Sequence, residues 1–219
     1  GCLGADGRDE PRREPLDPGI GNVPMFQYDR SNTGRATAAG PRVGDERWRF
    51  QTAGQVRSSP AVVDGVVYVG GGNRLYALDA VDGEPLWSFE TDGDVYASPA
   101  VADGTVYIGT RGGRVYALGA ADGTERWGIE TNGAVDASPS IADGVVYVAS
   151  RATDGRVYAL RAADGSTRWE FRTEYRVVSS PAVTDGAVFV GGWDAAVYAI
   201  DGDEGTERWR IETKQPVLS

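Results

Sequence analysis

The sequence predicts an all-β chain folded as a β-propeller of four-stranded antiparallel blades, and three observations carry that prediction. Tryptophan recurs at Trp48, Trp87, Trp127, Trp169 and Trp209, in steps of 39, 40, 42 and 40 residues. A regular period in this range marks stacked or radial repeats. Other landmarks keep step with it: Ser59-Pro60, Ser98-Pro99, Ser138-Pro139 and Ser180-Pro181, then Asp64-Gly65, Asp103-Gly104, Asp143-Gly144 and Asp185-Gly186. Finally, the 31 glycines and 11 prolines of the 219 residues interrupt every window that could hold a helix.

Each unit reads as four short strands. In the first copy these are 58–63, 66–69, 74–79 and 84–89. Asp64-Gly65 joins the first pair, because Asp-Gly accepts the positive φ angles of a tight hairpin. The second strand, Val66-Val67-Tyr68-Val69, is apolar on both faces, as a strand covered on both sides must be. The third carries Tyr76-Ala77-Leu78, repeated at Tyr116, Tyr158 and Tyr198. A second turn follows, with Gly83, Gly123, Gly165 and Gly205 each four residues before a tryptophan. A lone unit of this kind is a small sheet with two apolar faces, so neighbours must stack on it. The recurrent tryptophan supplies about 150–250 Å² of buried surface per copy.

The predicted organisation is a polar tether over 1–24 and propeller repeats over 25–219, with blades at about 53–91, 92–131, 132–173 and 174–213. Residues 48–52 read as an outer strand preceding the first blade, and Trp209 opens a further unit. About four blades are present; a seven- or eight-bladed ring would need roughly 280–320 residues of repeat. The expectation is therefore an incomplete, open arc.

Composition removes several function classes. The net charge of -10 argues against a nucleic-acid partner, which needs a basic surface. The chain has no histidine and one cysteine, Cys2. That excludes an intramolecular disulfide, a Cys/His zinc site and a Ser-His-Asp or Cys-His nucleophile system within it. No run of 18 apolar residues exists to cross a membrane as a helix. Lys214 is the only lysine among 22 basic residues. This acidic, arginine-biased composition resembles proteins of salt-loving archaea, whose charge keeps them soluble where salt screens repulsion; a GC-rich genome gives the same bias.

Gly1-Cys2 resembles the end of a lipoprotein signal, where a small residue precedes the cysteine that receives lipid. The stretch after it is rich in Gly, Asp, Glu, Arg and Pro and cannot form a core. Cys2 is thus the expected lipidation site, hanging the domain from a membrane surface outside the cytoplasm.

The stretch Ala77-Leu78-Asp79-Ala80-Val81-Asp82-Gly83-Glu84-Pro85-Leu86-Trp87 resembles the tryptophan-docking motif of PQQ-like, quinoprotein-type propeller repeats, Ala-x-Asp-x-x-Thr-Gly-x-x-x-Trp. It recurs over 117–127, 159–169 and 199–209, with Asp or Glu in place of the motif threonine throughout. The motif aspartate is kept at Asp79 and Asp201 but is Gly119 and Arg161 in the middle copies. Residues 25–34 are similar to the lead-in of secreted members. The resemblance implies one of two kinds of protein: non-catalytic, BamB-like lipoproteins that scaffold envelope assembly, or alcohol dehydrogenases that hold PQQ with calcium. In the dehydrogenases PQQ lies between a tryptophan and a ring of two adjacent cysteines, which this chain lacks.

The reading that follows is a non-catalytic, membrane-anchored propeller whose partners are other proteins, including cell-envelope proteins, with no cofactor and no metal. A PQQ-dependent dehydrogenase and an extracellular ligand sensor are the alternatives. Trp48, Trp87, Trp127, Trp169 and Trp209 are expected to pack between blades. Trp193, in Gly191-Gly192-Trp193-Asp194, is out of register and is the candidate ligand contact. Asp64, Asp82, Asp103, Asp122, Asp143, Asp164 and Asp185 belong to turns. Asp201-Gly202-Asp203-Glu204 places oxygen ligands close together, as a hard cation requires, but too few for a defined loop. The serines of the Ser-Pro pairs have no evident base and read as strand-start residues bonding to neighbouring backbone.

Overall fold

The computed structural model describes residues 46–218. The tether, Cys2 and the 25–34 lead-in lie outside them. The described residues contain sixteen strands and no helix. The first blade is β1 (Ala61–Val63), β2 (Val66–Gly71), β3 (Arg74–Asp79) and β4 (Pro85–Glu90). The second is β5 (Ala100–Ala102), β6 (Thr105–Gly109), β7 (Arg114–Gly119) and β8 (Glu125–Glu130). The third is β9 (Ser140–Ala142), β10 (Val145–Ser150), β11 (Arg156–Arg161) and β12 (Thr167–Arg172). The fourth is β13 (Ala182–Thr184), β14 (Ala187–Gly191), β15 (Ala196–Asp201) and β16 (Glu207–Glu212). Every sheet is antiparallel, with strands in chain order, which is a propeller blade.

The first turn of each blade behaves as Asp-Gly chemistry dictates. Asp64, Asp103, Asp143 and Asp185 have φ of 49°, 47°, 50° and 49°, and the glycine after each is also positive, the signature of a two-residue primed turn. In the second turn of the first three blades, Oδ1 of Asp82, Asp122 and Asp164 accepts the N–H two residues on, at 2.9–3.1 Å. Where the motif aspartate survives, Asp79 caps Val81 N–H at 2.8 Å, and Asp201 caps both Asp203 and Glu204 at 3.0 Å. The middle blades lose that cap but add a hydroxyl: Thr124 and Ser166 Oγ donate to Asp122 and Asp164 at 2.8 and 2.6 Å.

The inner strand is shorter than the sequence suggests, three residues in place of six, because its first half bonds outward. Ser59 N–H donates to Ser98 Oγ, Ser98 N–H to Ser138 Oγ and Ser138 N–H to Ser180 Oγ, at 2.9–3.0 Å. The following proline has no N–H to give a ladder. These hydroxyls therefore stitch successive blades together along the inner edge. A β-bulge recurs between the third and fourth strands, after Ala77, Ala117, Ala159 and Ala199, each paired with a tryptophan. The small alanine leaves room for the indole beside it.

The core consists of layers between blades. Tyr68, Leu75 and Ala77 of the first blade meet Val106, Ile108, Tyr116 and Leu118 of the second. Equivalent layers join second to third and third to fourth. On the first blade's other side, Val69, Tyr76 and Leu78 are covered by Trp48 and Phe50. Residues 48–52 thus pack where an outer strand packs, yet pair with no strand among the described residues.

Candidate functional site

The five in-register tryptophans divide into four that are seated and one that is not. The rings of Trp48, Trp87, Trp127 and Trp169 lie on Gly83, Gly123, Gly165 and Gly205 of the next blade. A Cβ at any of these glycines would fall 2.5–2.8 Å from a ring or Cβ atom of the tryptophan. Their φ values of +69° to +75° disfavour a side chain as well. Each indole N–H donates to a carbonyl of that blade: Ala80, Ala120, Ala162 and Gly202, at 2.9–3.1 Å. Trp209 departs from the expectation for the set. It is 43% exposed, because no following blade among the described residues supplies the glycine and carbonyl.

A tyrosine backs each interior indole. Tyr68, Tyr107 and Tyr147 pack against Trp87, Trp127 and Trp169 at 5.8–5.9 Å between ring centroids. Burial pushes the pKa of all three phenols up. Tyr198 is pushed up to about 12, first by burial and then by its hydrogen bond to the Asp194 carboxylate. A phenol whose pKa is raised by folding contributes stability that is complete below its unfolded pKa of about 10. That stability is lost as pH rises through the folded value. Phenolate absorbance is therefore expected to lag the free-tyrosine curve and rise together with loss of the β circular-dichroism signal between about pH 10 and 12. Titration of all tyrosines near pH 10 in a chain that stays folded would contradict it.

A set of polar groups from successive blades meets on one rim, where the segments entering the inner strands approach the hairpins after β2, β6, β10 and β14. In successive blades Gly72, Arg111, Arg151 and Trp193 each donate a backbone N–H to Gln55, Asp94, Ala134 and Arg176, at 2.7–3.0 Å. Trp193 thus shares a structural position with Arg111 and Arg151, a relation hidden by the different residue types. A chain of contacts crosses the blades here. The guanidinium of Arg57 sits 4.9 Å from the Tyr96 ring centroid, and that of Arg111 sits 4.6 Å from it. Arg111 and Arg151 reach the two oxygens of Asp136 at 3.3 and 2.9 Å. At the fourth blade the rim turns aromatic: Arg176 lies 4.9 Å from Tyr175 and 5.0 Å from Trp193. Both rings are exposed.

An open groove of about 570 Å³ runs along the inner edge past Arg57, Tyr96, Ser98, Asp136, Ser138 and Val178. Its polar groups are already engaged within the fold. Ser98, Ser138 and Ser180 hydroxyls already accept a neighbour's N–H, and Asp136 is engaged by two arginines. In 201–204, Asp201 is held by two backbone N–H groups and by Arg208 at 2.8 Å, and Asp203 pairs with Arg168 at 3.4 Å. The described residues contain no group of three or more metal-ligating side chains. No helix long and apolar enough to cross a membrane is present among them.

A family model described as outer membrane protein assembly factor BamB matches residues 32–136 and 111–219. Among solved structures, quinohemoprotein alcohol dehydrogenase ADHIIG from Pseudomonas putida HK5 superposes with a TM-score of 0.76 at 20% identity, over 90% of this chain and 40% of its own. BamB from Moraxella catarrhalis gives 0.69 at 22%, over 80% and 57%. Quinohemoprotein alcohol dehydrogenase from Comamonas testosteroni gives 0.74 at 18%, over 89% and 41%. The chain spans between 40% and 57% of the length of these three, and the likeness shows the fold. No curated protein sequence matches.

Proposed function

Because the chain belongs to the propeller family whose model is described as outer membrane protein assembly factor BamB, we propose that it is a non-catalytic, membrane-anchored extracytoplasmic scaffold that binds other proteins of the envelope. One observation carries this reading. The interior indoles, their tyrosines and the turn carboxylates are occupied in packing and capping. On the rim of the fourth blade the rings of Tyr175 and Trp193 are exposed, and the half-buried Arg176 guanidinium lies against both. Trp, Tyr and Arg are the residue types that concentrate binding energy at protein interfaces.

The residues of the groove do not fit PQQ. No free indole plane lines it, adjacent cysteines are absent from the sequence, and its one carboxylate, Asp136, is neutralised by arginine. Titration of the chain with PQQ and calcium, followed by absorbance and an alcohol-plus-dye assay, is expected to give no saturable binding and no turnover. Stoichiometric tight binding would establish the dehydrogenase reading instead.

The anchor is proposed at Cys2, on the strength of Gly1-Cys2 and the polar stretch behind it. Protein expressed in its native host is expected to partition into detergent. The Cys2→Ser form should move to the aqueous phase. Equal partitioning of the two would remove the anchor from the account.

A further inference from the structure

The inner-edge serines are engaged on one side only. Ser98, Ser138 and Ser180 Oγ each accept an N–H from the preceding blade, and a hydroxyl that accepts still has its own hydrogen to give. None of the three finds an acceptor for it among the described residues. Ser58 and Ser179, one residue earlier in the repeat, show the contrast. Each accepts the N–H of a glycine and donates back to that glycine's carbonyl, at Gly70 and Gly191, over 2.7–3.2 Å. Ser98 and Ser138 are 5% and 6% exposed, and both line the groove. The groove is where their hydrogens are left to point, and a buried donor without an acceptor is costly.

The charges beside these hydroxyls are unbalanced. Arg57 lines the same groove, and its Nε and Nη2 both reach Oε1 of Gln55 at 3.1 Å. That paired edge is the one with which arginine takes a carboxylate or phosphate, and here it rests on a neutral amide. Arg57 and Arg111 share the Tyr96 ring, and Arg111 and Arg151 share Asp136. Three guanidinium groups and one carboxylate leave two positive charges over. No other carboxylate among the described residues lies within 4 Å of the three. Elsewhere arginines meet acids one to one, as Arg74 meets Glu90 and Arg208 meets Asp201. The chain has 32 acidic residues to 22 basic ones, so a local positive excess runs against its composition. Such an excess repels itself unless an anion joins it.

We propose that the groove on the inner edge of the first three blades binds a phosphate group, free or as the monoester of a small molecule, with Arg57 and the Ser98 and Ser138 hydroxyls as its donors. The three or four oxygens of a phosphate meet donors from three blades at once, which the two oxygens of a carboxylate do not. A phosphate monoester carries roughly -1.5 to -2 charge near pH 7, which balances the excess. Arg57 exchanges a neutral acceptor for a charged one and gains the stronger bond. Arg111 and Arg151 stay on Asp136 and act through their charge. Each serine oxygen is already fixed by the N–H it accepts, so the donors are in place before the ligand arrives. The site stands apart from the Tyr175, Arg176 and Trp193 rim and does not depend on the scaffold function.

Isothermal titration calorimetry of the full chain in chloride buffer tests this, with circular dichroism as the check on folding. The probes are inorganic phosphate and glycerol 3-phosphate. Saturable binding of either, one per chain, is expected with a dissociation constant of about 1 mM or below. The tighter of the two tells whether the group comes free or esterified. Arg57→Gln, at an exposed residue, should weaken binding by at least about tenfold, and Ser138→Ala by about three- to tenfold. Arg172→Gln removes the same charge from an exposed arginine outside the groove and should change nothing. No saturation in the millimolar range overturns the proposal. So does an equal loss in Arg57→Gln and Arg172→Gln, the mark of bulk charge alone. Glutarate binding at least as tightly as phosphate overturns it too, by assigning the donors to a dicarboxylate.

Discussion

Replacing Trp127 by Ala is expected to lower the unfolding free energy by about 3–5 kcal/mol, the range for deleting a large buried aromatic. The residue is 8% exposed, lies on Gly165 and Tyr107, and gives its N–H to Ala162 at 2.9 Å. Truncation leaves a void between the second and third blades and takes the indole donor from the half-buried Ala162 carbonyl, which keeps only the long 3.5 Å bond from the Tyr107 hydroxyl, and both effects act in the same direction. Stacked repeats hold together only through such nearest-neighbour layers, so damage to one is not shared out among the rest. Denaturant melts are the measurement. A loss below about 1 kcal/mol would place Trp127 outside the core and sink the claim. Trp209→Ala is the internal contrast, expected to cost under about 1 kcal/mol because its ring is already wet.

The complementary change is on the glycine beneath. Gly165→Ala is expected to cost about 2–4 kcal/mol from two sources. A φ of +73° is unfavourable for an L-residue by roughly 1–2 kcal/mol. In addition, the new methyl would sit 2.8 Å from the Trp127 ring, and overpacking of this kind costs roughly 1–3 kcal/mol. Gly144 separates the two. It has φ +72° but nothing within 4 Å of an added Cβ. Gly144→Ala should therefore show only the backbone part, about 1–2 kcal/mol. Equal losses at the two positions in parallel melts would mean that the tryptophan does not feel the methyl.

The repeat was legible in the sequence because its physics is local. Asp-Gly pairs select one turn type, and tryptophan at a fixed distance after a glycine marks the outer strand; both appear in place. The inner strand was overestimated because Ser59, Ser98 and Ser138 look extended, while the direction of their N–H bonds depends on the neighbouring blade. Trp209 could not be told from Trp127 by spacing, since burial of an outer strand depends on what stacks against it. The rim was the least legible. Arg57, Tyr96 and Asp136 fill one repeat position with three residue types, and Arg111 and Arg151 fill another shared with Gly72 and Trp193, so no motif connects them. Aligning blades by structural position rather than by similarity would have put Trp193 in one column with Arg111 and Arg151. Its aromatic character there, beside Tyr175 and Arg176, distinguishes the fourth blade from the other three.

Each interior tryptophan is committed to a glycine on the next blade. The double-mutant cycle of Trp127→Ala and Gly165→Ala in denaturant melts tests that most directly. The account predicts that Gly165→Ala costs less once the ring is gone, giving a coupling of about 1–3 kcal/mol between the two sites. Additive losses, with coupling within about 0.5 kcal/mol of zero, would contradict it.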